Sequence, residues 1–176
     1  MLGLAQQEHV GAVSAKLFFY QNRKIQHLGG LLGITGDPNE IGIAGHAFRG
    51  QDQFFRHFDR LAIKNYSFVT GAFMMIEKEK FESVNGFDEA FQIAFNDVDF
   101  CLRLNNKGYF HVVEPYVELL HMESATLKKP GQEGRDLKQW KKEITLFIDR
   151  WNYIREKDPF YNINLSLNCE NYSILR

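Results

Sequence analysis

The sequence has few cysteines, no excess charge of either sign and no apolar stretch long enough to cross a bilayer. Its two cysteines, Cys101 and Cys169, are too few for a disulfide framework. A formal net charge of −1 gives no electrostatic reason to expect a nucleic-acid partner. We also expect no signal peptide. We therefore expect a cytoplasmic protein without a transmembrane segment, and a peripheral association with the inner face of the membrane stays open.

The composition predicts a folded chain rather than a disordered one. Of the 176 residues, 44% are hydrophobic and 16 are phenylalanine, which is enough to bury a sizeable core. One domain is the natural expectation for this length. Cys101 falls within a predicted helix and is expected to be a small buried hydrophobe.

The hydrophobic pattern predicts alternating strands and helices. Strands are predicted over residues 10–20, 24–28, 67–77, 109–113 and 117–121, and helices over 78–84, 96–106 and 135–156. Pro115 is expected to separate the last two strands. Glycine is dense between residues 29 and 50, which predicts a long irregular loop. The phenylalanines at 54, 55 and 58 have helical spacing and are expected to face the core.

An acidic cluster stands at the start of the predicted helix over residues 96–106. Asp99 and Arg103 are four residues apart, so they can pair on the helix surface. That pairing leaves Asp97 as the carboxylate free to face a cleft, although Asn96 or Asp97 acting only as a helix cap stays an alternative. His121 ends the last predicted strand, where an imidazole suits Mn²⁺ or a similar ion.

Short motifs follow one another in a fixed order along most of the chain. They are Thr70-Gly71-Ala72, Asn85-Gly86-Phe87-Asp88-Glu89, the helix from Asn96 to Arg103, and His121-Met122-Glu123-Ser124. Their order and spacing resemble the second half of a family 2 glycosyltransferase of the GT-A fold. The flanking segments resemble the subgroup found in bacterial rhamnan and O-antigen assembly, through residues 25–27, 45–48 and 158–162.

This resemblance implies an α/β fold with a mixed sheet. Residues 1–130 would form the acceptor-side half of a GT-A domain, and residues 131–176 a C-terminal amphipathic helix and extended arm packed on it. A GT-A domain begins with a βαβ nucleotide-binding half that ends in a metal-holding Asp-x-Asp. The single Asp-x-Asp of this sequence, Asp97-Val98-Asp99, belongs to the later helix, so we expect the N-terminal half to be missing.

The resemblance also implies an activity and roles for particular residues. The parent protein would transfer a sugar, with inversion, from a nucleotide-diphosphate donor to a glycan acceptor in cell-surface polysaccharide synthesis. Asp97 would be the catalytic base and His121 a ligand of a divalent metal, Mn²⁺ or Mg²⁺. The expected donor- and acceptor-binding residues are Thr70, Gly71, Ala72, Asp88, Asp99, Arg103 and Lys128. His27 and His46 lie in or near the glycine-rich loop and are interpreted as ordinary exposed histidines, and a role as acceptor-side groups stays an alternative.

Two readings from other functional classes stay open beside the transferase. One is a non-catalytic carbohydrate-binding or assembly module, which would be favoured if Asp97 faces the core. The other is an inactive remnant. As part of the transferase reading, the chain alone is expected to be inactive and to self-associate through an exposed sheet edge at residues 10–19 and 73–76.

Overall fold

The computed structural model describes residues 1–34, 42–54, 58–122, 137–152 and 158–174. The strands are β1 (Val10–Phe19), β2 (Ile25–His27), β3 (Gly30–Leu32), β4 (Ala44–His46), β5 (Lys64–Tyr66), β6 (Met75–Ile76) and β7 (Phe110–His121). The α-helices are α1 (Leu2–Ala5), α2 (Lys78–Ser83), α3 (Asn96–Asn105) and α4 (Leu137–Arg150), and a 3-10 helix spans Phe58–Leu61. Within these described ranges, no helix combines the length and the apolar character needed to cross a bilayer.

A mixed sheet built around β1 forms the centre of the fold. β1 runs parallel to β7 and antiparallel to β2 and β6, and β5 pairs with the other side of β7. Every residue from Val10 to Phe18 is buried, as is usual for a strand covered on both faces. The predicted α/β class with a mixed sheet is confirmed and is consistent with a GT-A type domain. The expected free edge at residues 10–19 is wrong, because β1 has hydrogen-bonded neighbours on both sides.

The prediction that Pro115 separates two strands is wrong, because β7 continues through Pro115 as one strand. The register shows how the proline is accommodated: Ala15 pairs with Glu114, but the next residue, Lys16, pairs with Glu118. Three extra residues of β7 therefore bulge out where proline has no N–H to donate to the ladder. The Lys16 ammonium, almost fully buried, lies 2.7 Å from the Glu118 carboxylate beside this bulge.

The glycine-rich region is not the irregular loop that its composition predicts. It contains the antiparallel pair β3 and β4, with Gly30 opposite His46. Gly29 has a φ of +115°, and a Cβ there would collide with the Tyr66 ring, while a Cβ on Gly30 would collide with the Phe68 ring. The glycines are thus required by close packing of β3 against β5 and the residues after it. Residues 35–41 of this region lie outside the described residues.

Residues 67–77 were predicted as one buried strand, and most of that prediction is wrong. Only Met75–Ile76 forms a strand, Phe68 makes a single bridge to Gly30, and residues 70–72 form a turn. The strand that precedes them, β5, was not predicted. The prediction that Phe54 and Phe58 face the core is also wrong, since 73% and 77% of their surfaces are exposed. Residue 55 lies outside the described residues.

Helix α3 is held between the sheet and α4 by its apolar face. Phe100, Cys101 and Leu104 are fully buried, which confirms the interpretation of Cys101 as a small core residue. Phe147 of α4 and Trp151, the residue that follows α4, belong to the same core. The N-terminal end of α3, which begins at Asn96, is therefore fixed by packing on two sides.

Candidate active site

The start of α3 is shaped by an unusual backbone conformation. Phe95, which immediately precedes the helix, has a φ of 62° in the left-handed region. That conformation costs a non-glycine residue on the order of 1–2 kcal/mol, so surrounding contacts must hold it. The turn directs the side chains of Asn96 and Asp97 back onto the first backbone N–H groups of α3. The Asn96 Oδ1 accepts from Asp97 N at 2.9 Å, and the Asp97 Oδ1 accepts from Val98 N at 2.9 Å.

Asp97 is joined to the Thr70-Gly71-Ala72 turn. The Gly71 N–H donates to the Asp97 Oδ2 at 2.8 Å, and the Thr70 Oγ1 accepts from Ala72 N at 3.2 Å inside the turn. Burial raises the pKa of the Asp97 carboxyl above its usual value, and the hydrogen bonds from Gly71, Val98 and its own backbone oppose that shift. The sequence analysis named all four residues, and the structure brings them together.

Asp99 has a different environment although it lies only two residues further on. It is fully buried, and Arg103 Nε donates to its Oδ2 at 2.8 Å. On the other oxygen, Arg150 donates at 2.8 Å and the Trp151 indole N–H at 3.0 Å. The predicted pairing of Asp99 with Arg103 is confirmed, but it occurs in the interior and not on the helix surface. These contacts indicate that Asp99 joins α3 to the end of α4, and they leave the Asp99 carboxylate no open side for a ligand.

Asp88 belongs to the same set of contacts. Its Oδ2 accepts from Arg150 at 2.7 Å, and its Oδ1 accepts from Ala90 N at 2.9 Å. The pKa of the Asp88 carboxyl is lowered mainly by the hydrogen bond from Ala90 N, and next by the hydrogen bond from Arg150. Because one guanidinium bridges Asp88 and Asp99, Asp88 helps to fix the segment that leads into α3.

His27 and His46 are not the exposed histidines that the sequence analysis expected. His27 is buried in β2, and its Nδ1 lies 2.8 Å from the Nδ1 of His46 in β4. Thr70 N donates to the His27 Nε2 at 3.4 Å, so the pair supports the turn that carries Gly71. Burial lowers the pKa of both rings, to about 4 for His46, so both are neutral near pH 7. The two histidines come together only because β3 pairs with β4, which was not predicted. The residues around each histidine contain no signal that would have indicated the contact.

His121 is half-buried at the end of β7, and its Nδ1 lies 2.8 Å from the Oε1 of Gln26. Gln26 precedes His27 in β2, and consecutive strand residues point to opposite faces. Gln26 contacts His121, whereas His27 contacts the turn that holds Asp97, which argues against one surface shared by His121 and Asp97. In the part of the chain that the structure describes, no three His, Cys, Asp or Glu side chains form a candidate metal site. A ligand role for His121 stays a prediction, and Lys128 lies outside the described residues.

Glu143 of α4 is a site-supporting residue that the sequence analysis missed. It is almost completely buried, and its carboxylate accepts backbone N–H groups from the segment just before α3. The sequence contains a signal for it. Glu143 stands three residues after Trp140 and four before Phe147, so it is an acidic residue on the apolar stripe of α4.

Comparison with known proteins shows the family to which the chain belongs. Residues 18–160 match the family described as Glycosyl transferase family group 2. The chain is 37% identical over 174 residues to the uncharacterized protein y4gI of Sinorhizobium fredii, an alignment that covers 95% of this chain and 18% of that protein. It is 32% identical over 181 residues to the O-antigen biosynthesis protein RfbC of Myxococcus xanthus, covering 100% of this chain and 13% of that protein. The chain spans less than a fifth of the length of these curated relatives. With most of its length matched by the family, the chain belongs to glycosyl transferase family group 2.

Proposed function

We propose that this chain forms the acceptor side of an inverting glycosyltransferase in cell-surface polysaccharide synthesis, with Asp97 as the base. The observation that carries the proposal is the Asp97 carboxylate at the start of α3, held by the Gly71 N–H at 2.8 Å and with a pKa raised by burial. The similarity to a protein named for O-antigen biosynthesis supports the type of product. Rhamnose is the first sugar to test, by analogy with the subgroup that the motifs resemble.

In the proposed reaction, Asp97 takes the proton of an acceptor hydroxyl as the hydroxyl oxygen attacks the anomeric carbon of the donor. The bond from that carbon to the diphosphate oxygen breaks, and the electron pair leaves with the diphosphate. A base works best when its pKa approaches the operating pH, so the burial that raises the pKa of Asp97 favours this role. The Gly71 N–H keeps one carboxylate oxygen in place, which orients the other lone pairs before the acceptor arrives.

Metal and donor binding are proposals for the whole protein. The family is generally associated with divalent metals. Hard cations need several oxygen ligands, and the described residues offer His121 beside the neutral Gln26 amide, which does not fit such an ion by itself. No step of the reaction is therefore derived through a metal. Binding of a nucleotide-diphosphate sugar and a location at the inner face of the membrane are likewise proposals for the whole protein.

The test is the Asp97→Asn substitution in a polypeptide that also carries a donor-binding half. Asparagine keeps the shape and can still accept from Gly71 N, but it cannot take a proton. We expect turnover to fall at least about 100-fold, the usual contribution of a general base. The exposed Asp149→Asn in α4 is the matched control and should leave turnover unchanged. Release of nucleoside diphosphate from a panel of nucleotide sugars, with dTDP-rhamnose included, provides the measurement. Turnover of Asp97→Asn within about threefold of the parent would reject the base role.

The pH profile provides a second measurement of the same proposal. The base acts only when deprotonated, so turnover should fall as the pH drops through the pKa of Asp97. Since burial raises that pKa, the acid limb should lie above the usual aspartate value of 3.8. An acid limb at or below the usual value would contradict the assignment.

Carbohydrate binding without transfer is the second candidate function, and one cavity favours it. A cavity of about 300 Å³ lies at the C-terminal end of α3, at the opposite end of that helix from Asp97. It is lined by Asn105, Gly108, Tyr109, Phe110, Pro159 and Phe160. Apolar walls with a few polar groups are usual for small-ligand sites. Binding of O-antigen fragments that Phe160→Ala abolishes, without any turnover in the transferase assay, would favour this reading.

A further inference from the structure

The segment before α3 converges on a single side chain of α4. The Glu143 Oε1 accepts from Gln92 N at 2.9 Å and Ile93 N at 3.2 Å, and its Oε2 accepts from Ile93 N at 3.1 Å and Ala94 N at 2.8 Å. Successive backbone N–H groups that point to one place form an anion-binding nest. Here the anion is the protein's own carboxylate, and Gln139 Nε2 adds a fifth hydrogen bond at 2.8 Å.

The residue after this nest is the strained Phe95. Its φ of 62° is uncommon for a bulky side chain, and its ring stacks on Phe147 of α4 at 4.7 Å with 23° between the ring planes. Phe147 is one helical turn after Glu143, so the same face of α4 holds both the nest and the left-handed residue. Asp97 lies only two residues beyond Phe95, and its position depends on how this turn is built.

A further turn of α4 fixes the helix on the other side of Asp97. Arg150 and the Trp151 indole both donate to the buried Asp99 carboxylate, at 2.8 and 3.0 Å. α4 therefore contacts the chain before Asp97 through Glu143 and after it through Asp99. Asp97 itself contacts the Gly71 turn, which is outside this set of contacts.

We propose that Glu143 is a positioning residue that sets the Asp97 carboxylate against the Gly71 N–H. The inference rests on the proposed function for its catalytic meaning, because Asp97 matters most as a base. Its structural content stands separately. Removing the Glu143 carboxylate should release the nest, relax Phe95 and loosen a hydrogen bond between two residues that Glu143 does not touch.

Amide hydrogen exchange of the 176-residue chain tests that content directly. Glu143→Gln places an NH₂ group against backbone donors, so we expect the Gly71 amide to exchange at least threefold faster. Asp97→Ala gives the reference rate for a Gly71 amide with no acceptor. Lys142→Ala, an exposed change on the same helix, should leave Gly71 unchanged. Amides of β1 should stay protected in all variants, which shows that the fold is retained. Glu143→Asp keeps the charge and should restore part of the protection, and it serves as the second variant if Glu143→Gln does not fold.

Faster exchange at residues 92–94 with an unchanged Gly71 amide would overturn the proposal, since Glu143 would then act only locally. In the transferase assay, Glu143→Gln should lower kcat at least tenfold and leave both KM values within twofold. A raised KM with an unchanged kcat would also overturn it. If Asp97→Asn keeps its turnover, the proposed function fails, whereas the Gly71 exchange rates still decide the positioning role.

Discussion

Substitution of Asp99 by asparagine should destabilise the protein strongly, although the change is nearly isosteric. The carboxylate is fully buried and accepts from Arg103 on one oxygen and from Arg150 and Trp151 on the other. An amide has one accepting oxygen, so in either orientation its NH₂ group faces an arginine donor. The substitution therefore removes at least one charge-assisted hydrogen bond and leaves two guanidinium groups without their shared anion.

The size of the effect follows from those contacts. A hydrogen bond to a charged group contributes about 1.5–3 kcal/mol, and removing one partner of a buried ion pair costs about 3–5 kcal/mol. The side chains of Arg103 and Arg150 are 22% and 31% exposed, so water can partly replace the lost partner. We therefore expect the lower end of the range, a loss of about 3 kcal/mol in the free energy of unfolding. That is a large share of a total stability on the order of 5–15 kcal/mol.

Urea unfolding at pH 7 and 25 °C measures this loss as a lower midpoint with an unchanged m-value. Asp97→Asn is the control, two residues away on the same helix. It removes a carboxylate whose pKa is raised by burial and keeps an oxygen for Gly71, so it should cost less than about 1 kcal/mol. A loss below about 1 kcal/mol for Asp99→Asn would contradict the reasoning, because it would place Asp99 with exposed ion pairs of little energetic value.

Three further predictions concern pH, packing and donor binding. Burial lowers the pKa of His111 to about 4, so the folded state binds a proton at His111 less readily than the unfolded state does. The free energy of unfolding should therefore fall as the pH drops from 6.5 towards 4. Urea midpoints measured across that range should depend less on pH in His111→Gln. Gly71→Ala should leave the thermal unfolding temperature nearly unchanged, because the new Cβ would lie 3.4 Å from the Asp97 Cβ, but it should reduce turnover by crowding the acceptor. Gly30→Ala should lower the free energy of unfolding by about 1–3 kcal/mol, because its Cβ would collide with the Phe68 ring. Calorimetry with Mn²⁺ should show weak or no binding of nucleotide sugars to the chain alone, and micromolar binding would show that the donor site lies within these residues.

Local sequence signals predicted the elements whose form depends on neighbouring residues. A helix is predicted over residues 78–84, and Asn85 and Gly86, which follow it, both adopt positive φ, at 59° and 64°. The acidic start of α3 and the amphipathic stripe of α4 are also where the sequence placed them. These features are set by capping, helical periodicity and glycine conformation, which a short window of sequence contains.

Features that depend on distant partners were not predictable in the same way. The glycines at 29 and 30 fall in the segment that was predicted to be an irregular loop, but glycine is required there because the rings of Tyr66 and Phe68 occupy the space of a side chain. The histidines at 27 and 46 are 19 positions apart and meet only through the β3–β4 pair. In each case the decisive contact joins segments that no local pattern connects.

The carboxylates of Asp97, Asp99 and Glu143 differ in the kind of donor from which they accept hydrogen bonds, and that difference separates structural support from reactivity. Asp99 is held by two cationic side chains and an indole, and Glu143 by a nest of backbone N–H groups, so both are saturated and fixed. Along the chain, Asp97 lies between residues 92–94, which Glu143 holds, and Asp99. Its carboxylate accepts from the backbone N–H groups of Gly71 and Val98. A carboxylate held in place without a cationic partner keeps its affinity for a proton, and burial raises its pKa further. The rigid surroundings fix the direction of the Asp97 carboxylate. Among the residues that the structure describes, it contacts no cationic side chain, so the carboxylate stays basic. Proton abstraction from a hydroxyl requires this combination.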